Sequence, residues 1–150
     1  MIALLQRVQH ATVTVNSQQI AQIEQGLLVF IGVEKNDSTI QADRILTRLF
    51  GYRVFSDLND KMNLSVQDIH GGLLLVPQFT LPANTQKGMR PSFTPAAAPE
   101  LGNTLFSYLV DHAQQQHAKV ASGEFGADMQ VSLTNDGPVT FWLQAAPDKI

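Results

Sequence analysis

The first third of the chain alternates apolar and polar residues in the manner of β-strands. ALLQRVQHATVTVN ends in alternating Thr and Val, and GLLVFIGVE is an unbroken apolar run that begins at Gly26. The first pattern is typical of a strand, and the second is typical of a strand buried on both faces. Between them, SQQIAQIEQ predicts a turn and a short strand.

A helical pattern follows these strands. Ser38 and Gln41 have the three-residue spacing of a capping box. Apolar residues then recur at helical intervals, namely Ile40, Ile45, Leu46, Leu49 and Phe50. The pattern predicts a helix from residue 38 to Phe50, with Gly51 in the position of a C-terminal glycine.

The middle of the chain predicts short strands joined by turns. YRVFSD is interpreted as a strand and LNDKMNLSV as a turn that leads into the next strand. Asp57 and Asp60 are interpreted as turn residues rather than as a catalytic carboxylate pair. Residues 76–93, VPQFTLPANTQKGMRPSF, begin as a buried strand and end as a polar, basic loop.

A second helix is predicted between this loop and the tail. Pro95 and Pro99 bracket its start, and its apolar face is formed by Leu101, Leu105, Leu109 and His112. His112 and His117 are five residues apart, a spacing that does not stack two zinc ligands on one helix face. Both histidines are therefore predicted to face solvent or to lie at the edge of the core.

The tail predicts further strands. Val131 and Leu133 alternate before a predicted turn formed by Asn135, Asp136 and Gly137, and Val139, Phe141 and Leu143 alternate after it. Residues 1–150 are therefore predicted to form a single domain of the α/β (α+β) class. Its sheet would be curled and mixed or antiparallel, or barrel-like, with two main helices.

Composition and charge exclude several classes of protein. The chain has no Cys and no apolar stretch near the ~20 residues that span a bilayer, and it begins without a signal-peptide pattern. We therefore expect a cytoplasmic protein that neither contains disulfides nor enters membranes. A net charge of −3 argues against a broad basic face for DNA or other nucleic acid. Lys87 and Arg90 remain candidates for a local basic patch, whereas solvation is the favoured interpretation of Arg7, Arg53 and Lys61.

The common signatures of enzyme chemistry are missing. The chain contains no Cys nucleophile, no pair of zinc-binding His on a helix, no glycine-rich phosphate loop and no nucleophile elbow. We therefore expect no metal and no cofactor. The segments that remain are PQFTL and NDGPVTFW, which taken alone are a strand end and a turn.

Seven segments together resemble the D-aminoacyl-tRNA deacylases, small homodimeric enzymes that hydrolyse D-amino acids from mischarged tRNA. In chain order they are QRVQHATVTV, GLLVFIGVEKND, GYRVFSD, DKMNLSV, QFTL, GMRPSF and FGADMQVSLTNDGPVTFWL. They cover nearly the whole chain. The family signature is Ser-Gln-Phe-Thr, and Pro77 replaces its serine here, so this chain has no hydroxyl at that position.

The resemblance implies where the active site lies. The catalytic residues would be Gln78, Phe79 and Thr80, and the substrate would be bound by Gly137, Pro138, Met129, Lys87 and Arg90. An aminoacyl ester is an activated acyl group, so its hydrolysis requires a positioned water and a stabilised oxyanion. We expect the main-chain N–H groups of Phe79 and Thr80 to stabilise the oxyanion and Gln78 to position the ester. The alternative is a nucleophilic Thr80 hydroxyl, for which the neighbouring sequence offers no base.

The resemblance also implies partners and selectivity. The Gly137–Pro138 peptide bond would be cis, and the pair would enter the active site of the other subunit of a homodimer and reject L-aminoacyl-tRNA. Glycyl-tRNA would escape this filter and become a second substrate. Lys87 and Arg90 would bind tRNA phosphates. Two other interpretations are a small-molecule esterase and a non-catalytic, β-rich interaction module.

Overall fold

The computed structural model describes residues 1–147, which form eight strands and two helices. In chain order these are β1 (Ile2–Val15), β2 (Gln18–Ile23), β3 (Gly26–Gly32), α1 (Thr39–Gly51), β4 (Phe55–Ser56), β5 (Met62–Leu64), β6 (Gly72–Pro77), α2 (Pro99–Gln116), β7 (Val120–Ser122) and β8 (Gln130–Gln144). No helix within these residues has the length and apolar character needed to cross a membrane.

Six of the strands form one mixed sheet. Its order is β2-β1-β3-β6-β7, and β8 pairs with β1 along nearly the whole length of that strand. The pairings of β1 with β2, β3 and β8 are antiparallel, whereas β3, β6 and β7 are parallel to one another. β4 and β5 form a separate two-stranded ribbon, so the strand predicted over YRVFSD is reduced to two residues.

The large sheet is curled around a small apolar cluster of its own. The buried members of this cluster come from β1, β2, β3 and β6, and half-buried residues of β7 and β8 pack against them. Side chains from strands at opposite edges of the sheet meet in this cluster. They can do so on one face only if the sheet curls, so the cluster accounts for the curled shape. The structure confirms the predicted α/β domain with a curled mixed sheet and two helices.

The two helices cover the opposite face of the sheet. α1 begins with the predicted capping box, in which Ser38 Oγ accepts from the Ile40 N–H at 3.2 Å and Gln41 Oε1 accepts from the Ser38 N–H at 2.8 Å. Gly51 is the last helical residue, not a left-handed residue beyond the helix, and Tyr52 ends the helix in an extended conformation. α2 begins at Pro99, where a missing N–H costs no helical hydrogen bond.

The turn predicted in the tail does not form. β8 is one strand of 15 residues that includes Asn135, Asp136 and Gly137. The pairing of β8 with β1 shifts at this point, so the chain bulges and then continues beside the same partner. A side-chain hydrogen-bond network, described below, replaces the local turn that the Asn-Asp-Gly sequence suggested.

The two histidines lie at the edge of the core, within the prediction. Both are half-buried. The ring of His112 stacks on that of Tyr108 with 3.8 Å between centroids, and His117 Nε2 lies 2.6 Å from the carbonyl oxygen of Gly71. Each ring therefore has a structural contact of its own.

A buried ion cluster holds the start of β1. The α-ammonium of Met1 donates to Glu34 Oε2 at 2.9 Å, to Asp37 Oδ1 at 2.7 Å and to the carbonyl oxygen of Ala145 at 2.7 Å. Burial raises the pKa of the Asp37 carboxyl above its ordinary value, and the hydrogen bond from the ammonium opposes this shift. The cluster fixes the segment that follows β3, because Glu34 and Asp37 belong to it. Val33 lies in the same segment, and its carbonyl oxygen accepts from Ala97 N–H at 3.0 Å. The cluster thereby also fixes the segment that leads into α2.

Candidate active site

A largely apolar cavity of about 830 Å³ opens where β6 ends. Gln78, Phe79, Thr80 and Met129 all contribute to its wall. The structure thus brings together four of the residues predicted from the sequence. The remaining wall is mostly apolar and includes Leu4, Phe30, Val76, Phe93, Ala96, Phe106 and Phe125.

Backbone hydrogen bonds fix the end of β6. Gln78 N–H donates to the carbonyl oxygen of Ile31 at 2.8 Å, which extends the pairing with β3 by one residue. The chain then turns, as Leu81 N–H donates to Gln78 O at 3.3 Å and Ala83 N–H donates to Thr80 O at 3.1 Å. This turn lies directly on Gly32, where an added Cβ would be 2.8 Å from Leu81 Cβ. Only a glycine lets the turn approach β3 so closely.

The N–H groups of Phe79 and Thr80 remain available inside this well-fixed turn. Among residues 1–147, no backbone or side-chain group accepts a hydrogen bond from either of them. Both residues are exposed. Two adjacent main-chain donors beside a cavity can bind an oxygen that becomes negatively charged, as an oxyanion hole does.

The Thr80 hydroxyl is in contact with an amide rather than with a base. Gln78 Nε2 donates to Thr80 Oγ1 at 3.0 Å. An amide nitrogen has no free electron pair with which to take a proton, so Gln78 orients the hydroxyl but does not activate it. Asp128 is the one ionisable residue among those that form the described cavity wall. Within residues 1–147, no cluster of three or more His, Cys, Asp or Glu is arranged to hold a metal ion.

An aromatic pair forms one rim of the cavity. The rings of Phe79 and Phe93 lie 5.3 Å apart between centroids at 51°. Phe79 is 63% exposed and Phe93 45% exposed, which is unusual for large apolar side chains. The pair therefore offers a flat apolar surface at the entrance to the cavity, next to the two free N–H groups.

Lys87 and Arg90 lie on a separate loop beside the cavity wall. This basic loop (residues 84–92) is closed at its base by two hydrogen bonds, from Asn84 N–H to Ser92 O at 2.7 Å and from Ser92 N–H to Asn84 O at 3.0 Å. Gly88 lies between the two cations with a φ of 69°. Both cations are exposed and neither lines the cavity.

Met129 completes the wall from the segment that precedes β8. A Cβ added to Gly123 would lie 2.8 Å from Met129 Sδ and 3.4 Å from Pro77 Cδ. The thioether therefore packs close to Gly123, next to the ring of Pro77. Pro77 itself is buried and paired with Ile31, so the residue that replaces the family serine has a structural role here.

Gly137 and Pro138 lie outside the described cavity wall. They belong to the β8 bulge (residues 136–139), and both are exposed. Their peptide bond is cis, the isomer that the resemblance implies. Within one chain, therefore, the structure separates this pair from Phe79 and Thr80.

Arg7 corrects the interpretation of the scattered basic residues. Its side chain is only 12% exposed. Arg7 Nε donates to the carbonyl oxygen of Asp136 at 2.8 Å, and Arg7 Nη1 donates to that of Val54 at 2.7 Å. No local pattern predicts these contacts, because the three residues are distant along the chain. Arg7 is thus a half-buried support of the β8 bulge and not a solvated charge.

Comparison with known proteins settles the family. The family model described as D-Tyr-tRNA(Tyr) deacylase matches residues 4–144. The chain belongs to this family of hydrolases. Its length and fold agree with those of other members, as the following similarities show.

Two relatives, each named D-aminoacyl-tRNA deacylase, match almost the whole chain. The protein from Janthinobacterium sp. (strain Marseille) is 60% identical over 147 residues, covering 98% of this chain and 99% of the relative. The protein from Pseudomonas putida is 61% identical over 144 residues, covering 96% of this chain and 99% of the relative. The predicted family is therefore confirmed.

Two solved structures share the fold. The c-Myc DNA Unwinding Element Binding Protein has a TM-score of 0.93 and 33% identity, covering 98% of this chain and 100% of that one. A probable eukaryotic D-amino acid tRNA deacylase has a TM-score of 0.78 and 17% identity, covering 96% and 98%. The second similarity concerns the fold alone.

Several residues of the cavity wall are not predicted by the sequence patterns. Phe93, Phe125, Ala96 and Asp128 line it, yet none was singled out. The segment that contains Phe125 and Asp128 had been noted only as part of the resemblance. The available signal was the run TPAAAP, whose small residues leave room in the wall at Ala96 and Ala97.

Proposed function

We propose that this chain hydrolyses the ester bond of D-aminoacyl-tRNA and releases the free amino acid and tRNA. Membership of the deacylase family supports this activity. The observation that carries the proposal is the pair of unpaired N–H groups, from Phe79 and Thr80, at the rim of a large apolar cavity. The proposed role is chiral proofreading in translation.

The proposed mechanism requires little from side chains. Water attacks the ester carbonyl, and the negative charge that develops on the carbonyl oxygen is held by the N–H groups of Phe79 and Thr80. The intermediate then collapses, the bond to the ribose oxygen breaks, and that oxygen receives the proton lost by water. Gln78 positions the ester and the ribose, and the neighbouring ribose hydroxyl assists the water. The closely fixed turn at residues 78–83 supports this assignment, since preorganised donors need no rearrangement during the reaction.

A second mechanism makes the Thr80 hydroxyl the nucleophile. It is less well supported, because the described contact of Thr80 Oγ1 is with the amide of Gln78 and not with a base. Asp128 lies in the cavity wall, but no hydrogen bond joins it to Thr80 within residues 1–147. We therefore prefer the mechanism based on main-chain donors.

The cavity and the basic loop would bind different parts of the substrate. The apolar wall, including Met129, would face the acyl group and the terminal nucleoside. Lys87 and Arg90 would bind phosphates of the acceptor end through charge-assisted hydrogen bonds. Such contacts are largely independent of tRNA sequence, which suits an enzyme that must accept many tRNAs.

Selectivity is proposed to arise in a homodimer with active sites at the subunit interface. Gly137 and Pro138 are exposed and lie outside the cavity of their own chain, so they are free to enter that of a second copy. Phe141 and Trp142 are also exposed on the same strand, which provides apolar surface for association. In the partner's cavity the backbone of the pair would hold the substrate's ammonium and leave no room for an L side chain. Glycine has no side chain, so glycyl-tRNA is a proposed second substrate.

The proposed enzyme uses neither a metal nor a cofactor. It would act in the cytoplasm, where aminoacyl-tRNA is made and used. We do not extend to this chain the DNA binding in the name of its 33%-identical structural relative, because a net charge of −3 is unfavourable for binding a duplex.

The decisive experiment compares three substrates. The purified protein is incubated with D-tyrosyl-tRNA, L-tyrosyl-tRNA and nitrophenyl acetate, and release of the acyl group is followed. Release from the D-ester alone is expected. Release from nitrophenyl acetate alone would indicate a small-molecule esterase, and no release from any ester would leave a non-catalytic interaction module.

A further inference from the structure

The β8 bulge is an insertion in the pairing of β8 with β1, which shifts again between Val8 and His10. Gln6 pairs with Thr140 and Val8 pairs with Asn135. Arg7 alone lies between the two β1 residues, whereas four residues of β8 lie between their partners. The additional residues cannot remain in the plane of the sheet, so they project from it. Something must hold the two ends of the projection together.

The side chain of Asn135 performs this task. Its Oδ1 accepts from Val139 N–H at 2.7 Å, and its Nδ2 donates to the carbonyl oxygen of the same residue at 3.2 Å. The amide thus binds both backbone groups of Val139, much as a neighbouring strand would. Nδ2 also lies 3.1 Å from Gln6 Oε1 and 3.1 Å from Thr140 Oγ1.

These contacts require an amide at position 135. The oxygen faces an N–H donor, and the nitrogen faces three oxygen acceptors. A carboxylate has the same size but can only accept, so it would retain the bond from Val139 N–H and would repel the Val139 carbonyl oxygen, which now accepts from Nδ2. The Thr140 hydroxyl and the Gln6 amide can each reorient and donate instead. Asn135→Asp therefore removes the NH2 donor of this side chain while leaving the shape of the side chain nearly unchanged.

Asn135 differs from the other supports of the bulge. Arg7 binds one carbonyl oxygen within it, that of Asp136, and the Val139 side chain anchors one end in the core. Within residues 1–147, Asn135 is the side chain that joins the two ends, because it belongs to one end and binds the other. It therefore fixes how far Gly137 and Pro138 can move relative to the sheet.

We propose that Asn135 is a positioning residue for stereochemical selection, which sets the rigidity of Gly137 and Pro138 and so the rejection of L-aminoacyl-tRNA. This inference rests on the proposed function. A steric filter discriminates only if its position is held to a fraction of an ångström, since a small displacement makes room for one more side chain. The oxyanion donors of Phe79 and Thr80 lie on a different element and do not depend on Asn135.

The test measures single-turnover deacylation of D-tyrosyl-tRNA and L-tyrosyl-tRNA by the wild-type protein, Asn135→Asp and Asn135→Ala. We expect the ratio of the D-ester rate to the L-ester rate to fall at least tenfold in both variants, because the rate on the L-ester rises. Gly137 and Pro138 would also hold the ammonium of the D-ester, so the rate on that substrate should not rise. Gln6→Ala is the matched control, because it removes one acceptor of Nδ2 and leaves both bonds to Val139. Its D/L ratio should equal that of wild type.

The outcomes separate this inference from the proposed function. No release of D-tyrosine by the wild-type protein would overturn the proposed function. Release of D-tyrosine with an unchanged D/L rate ratio in Asn135→Asp would overturn the role of Asn135. A D/L ratio that falls as much in Gln6→Ala as in the Asn135 variants would also overturn it. Should the Asn135 variants fail to fold, amide exchange of Val139 N–H in the wild-type protein decides: strong protection supports the contact, and exchange at the rate of a free amide overturns it.

Discussion

The end of β6 and the β8 bulge treat their backbone polar groups in opposite ways. At the end of β6, Gln78 N–H is paired, but the next two N–H groups are left without an acceptor among residues 1–147. In the bulge, Asn135 binds both backbone groups of Val139, and Arg7 binds the carbonyl oxygen of Asp136. Both regions are fixed in shape. The end of β6 leaves two N–H groups open to a ligand, whereas the polar groups of the bulge named above are closed by hydrogen bonds within the protein.

The proposed mechanism uses this difference, because it assigns oxyanion stabilisation to the open N–H groups and substrate selection to the closed bulge. Unpaired donors have a cost in a folded protein, and they are tolerated where a ligand oxygen replaces water. A steric filter needs no free donors, but it does need immobility. Four experiments test this division.

The largest effect is expected from removing one open donor. Replacing Thr80 with its α-hydroxy-acid analogue, by nonsense suppression in cell-free translation, turns the amide into an ester and keeps the side chain. We expect kcat on D-tyrosyl-tRNA to fall by about 10²–10³, the cost of one lost oxyanion donor. Thr80→Ala, which keeps the N–H and loses the hydroxyl, should retain kcat within about tenfold. An inactive Thr80→Ala protein that folds and binds tRNA would instead identify a nucleophile.

The second effect concerns the crowded backbone of the bulge. A Cβ added to Gly137 would lie 2.6 Å from Val139 Cγ2 and 2.8 Å from Val139 N, at a φ of 150°. We expect Gly137→Ala to lower the free energy of unfolding by about 3 kcal/mol, measured by urea denaturation, because overpacking adds to backbone strain. Gly88→Ala is the control, since it also has a positive φ but nothing within 4 Å. Equal losses would show that the close contacts in the bulge do not matter.

The third effect tests the half-buried cation that supports the bulge, Arg7. Arg7→Ala leaves the carbonyl oxygens of Asp136 and Val54 without their donor, and should lower the free energy of unfolding by about 2 kcal/mol. Arg53→Ala removes an exposed arginine whose hydrogen bond is to Asn63, and should change stability by less than about 0.5 kcal/mol. A similar loss of unfolding free energy in the two variants would show that Arg7 acts only as a solvated charge.

The smallest effect is expected at the basic loop. The double variant Lys87→Ala, Arg90→Ala should weaken tRNA binding and reduce the salt slope of log K by about 1.5, because two phosphate contacts would be lost. The matched control removes the exposed charges of Arg53 and Lys61, which changes the net charge equally. A slope that falls as much in the control would move the phosphate site away from residues 84–92.

The sequence predicted well those features that depend on neighbouring residues. The capping box of Ser38 and Gln41 and the buried strand from Gly26 are local patterns, and both occur in the structure. Asp57 was also interpreted correctly as a turn residue, since its Oδ1 accepts from the N–H groups of Asn59 and Lys61. In each case the pattern that carries the prediction lies within a few positions along the chain.

The failures share the opposite property. The Asn-Asp-Gly sequence predicts a turn, but pairing with β1 on both sides of it keeps β8 in one sheet. Arg7 was interpreted as solvated because its acceptors are 47 and 129 residues away in sequence. Only the fold brings such partners together.

The pairing of β1 with β8 also determines how the chain can fold. Ile2 pairs with Gln144 and Thr14 with Gln130, so the central strand of the sheet finds its longest neighbour at the far end of the chain. Contacts of this kind close very long loops before they gain any stabilising energy, and they are associated with slow folding. During synthesis, β1 can pair with β2 and β3 as they emerge, but its edge toward β8 stays unpaired until almost the entire chain has been made. An unpaired strand edge is the part of a folding chain most prone to pair with other chains, so the completion of β8 protects this sheet from aggregation.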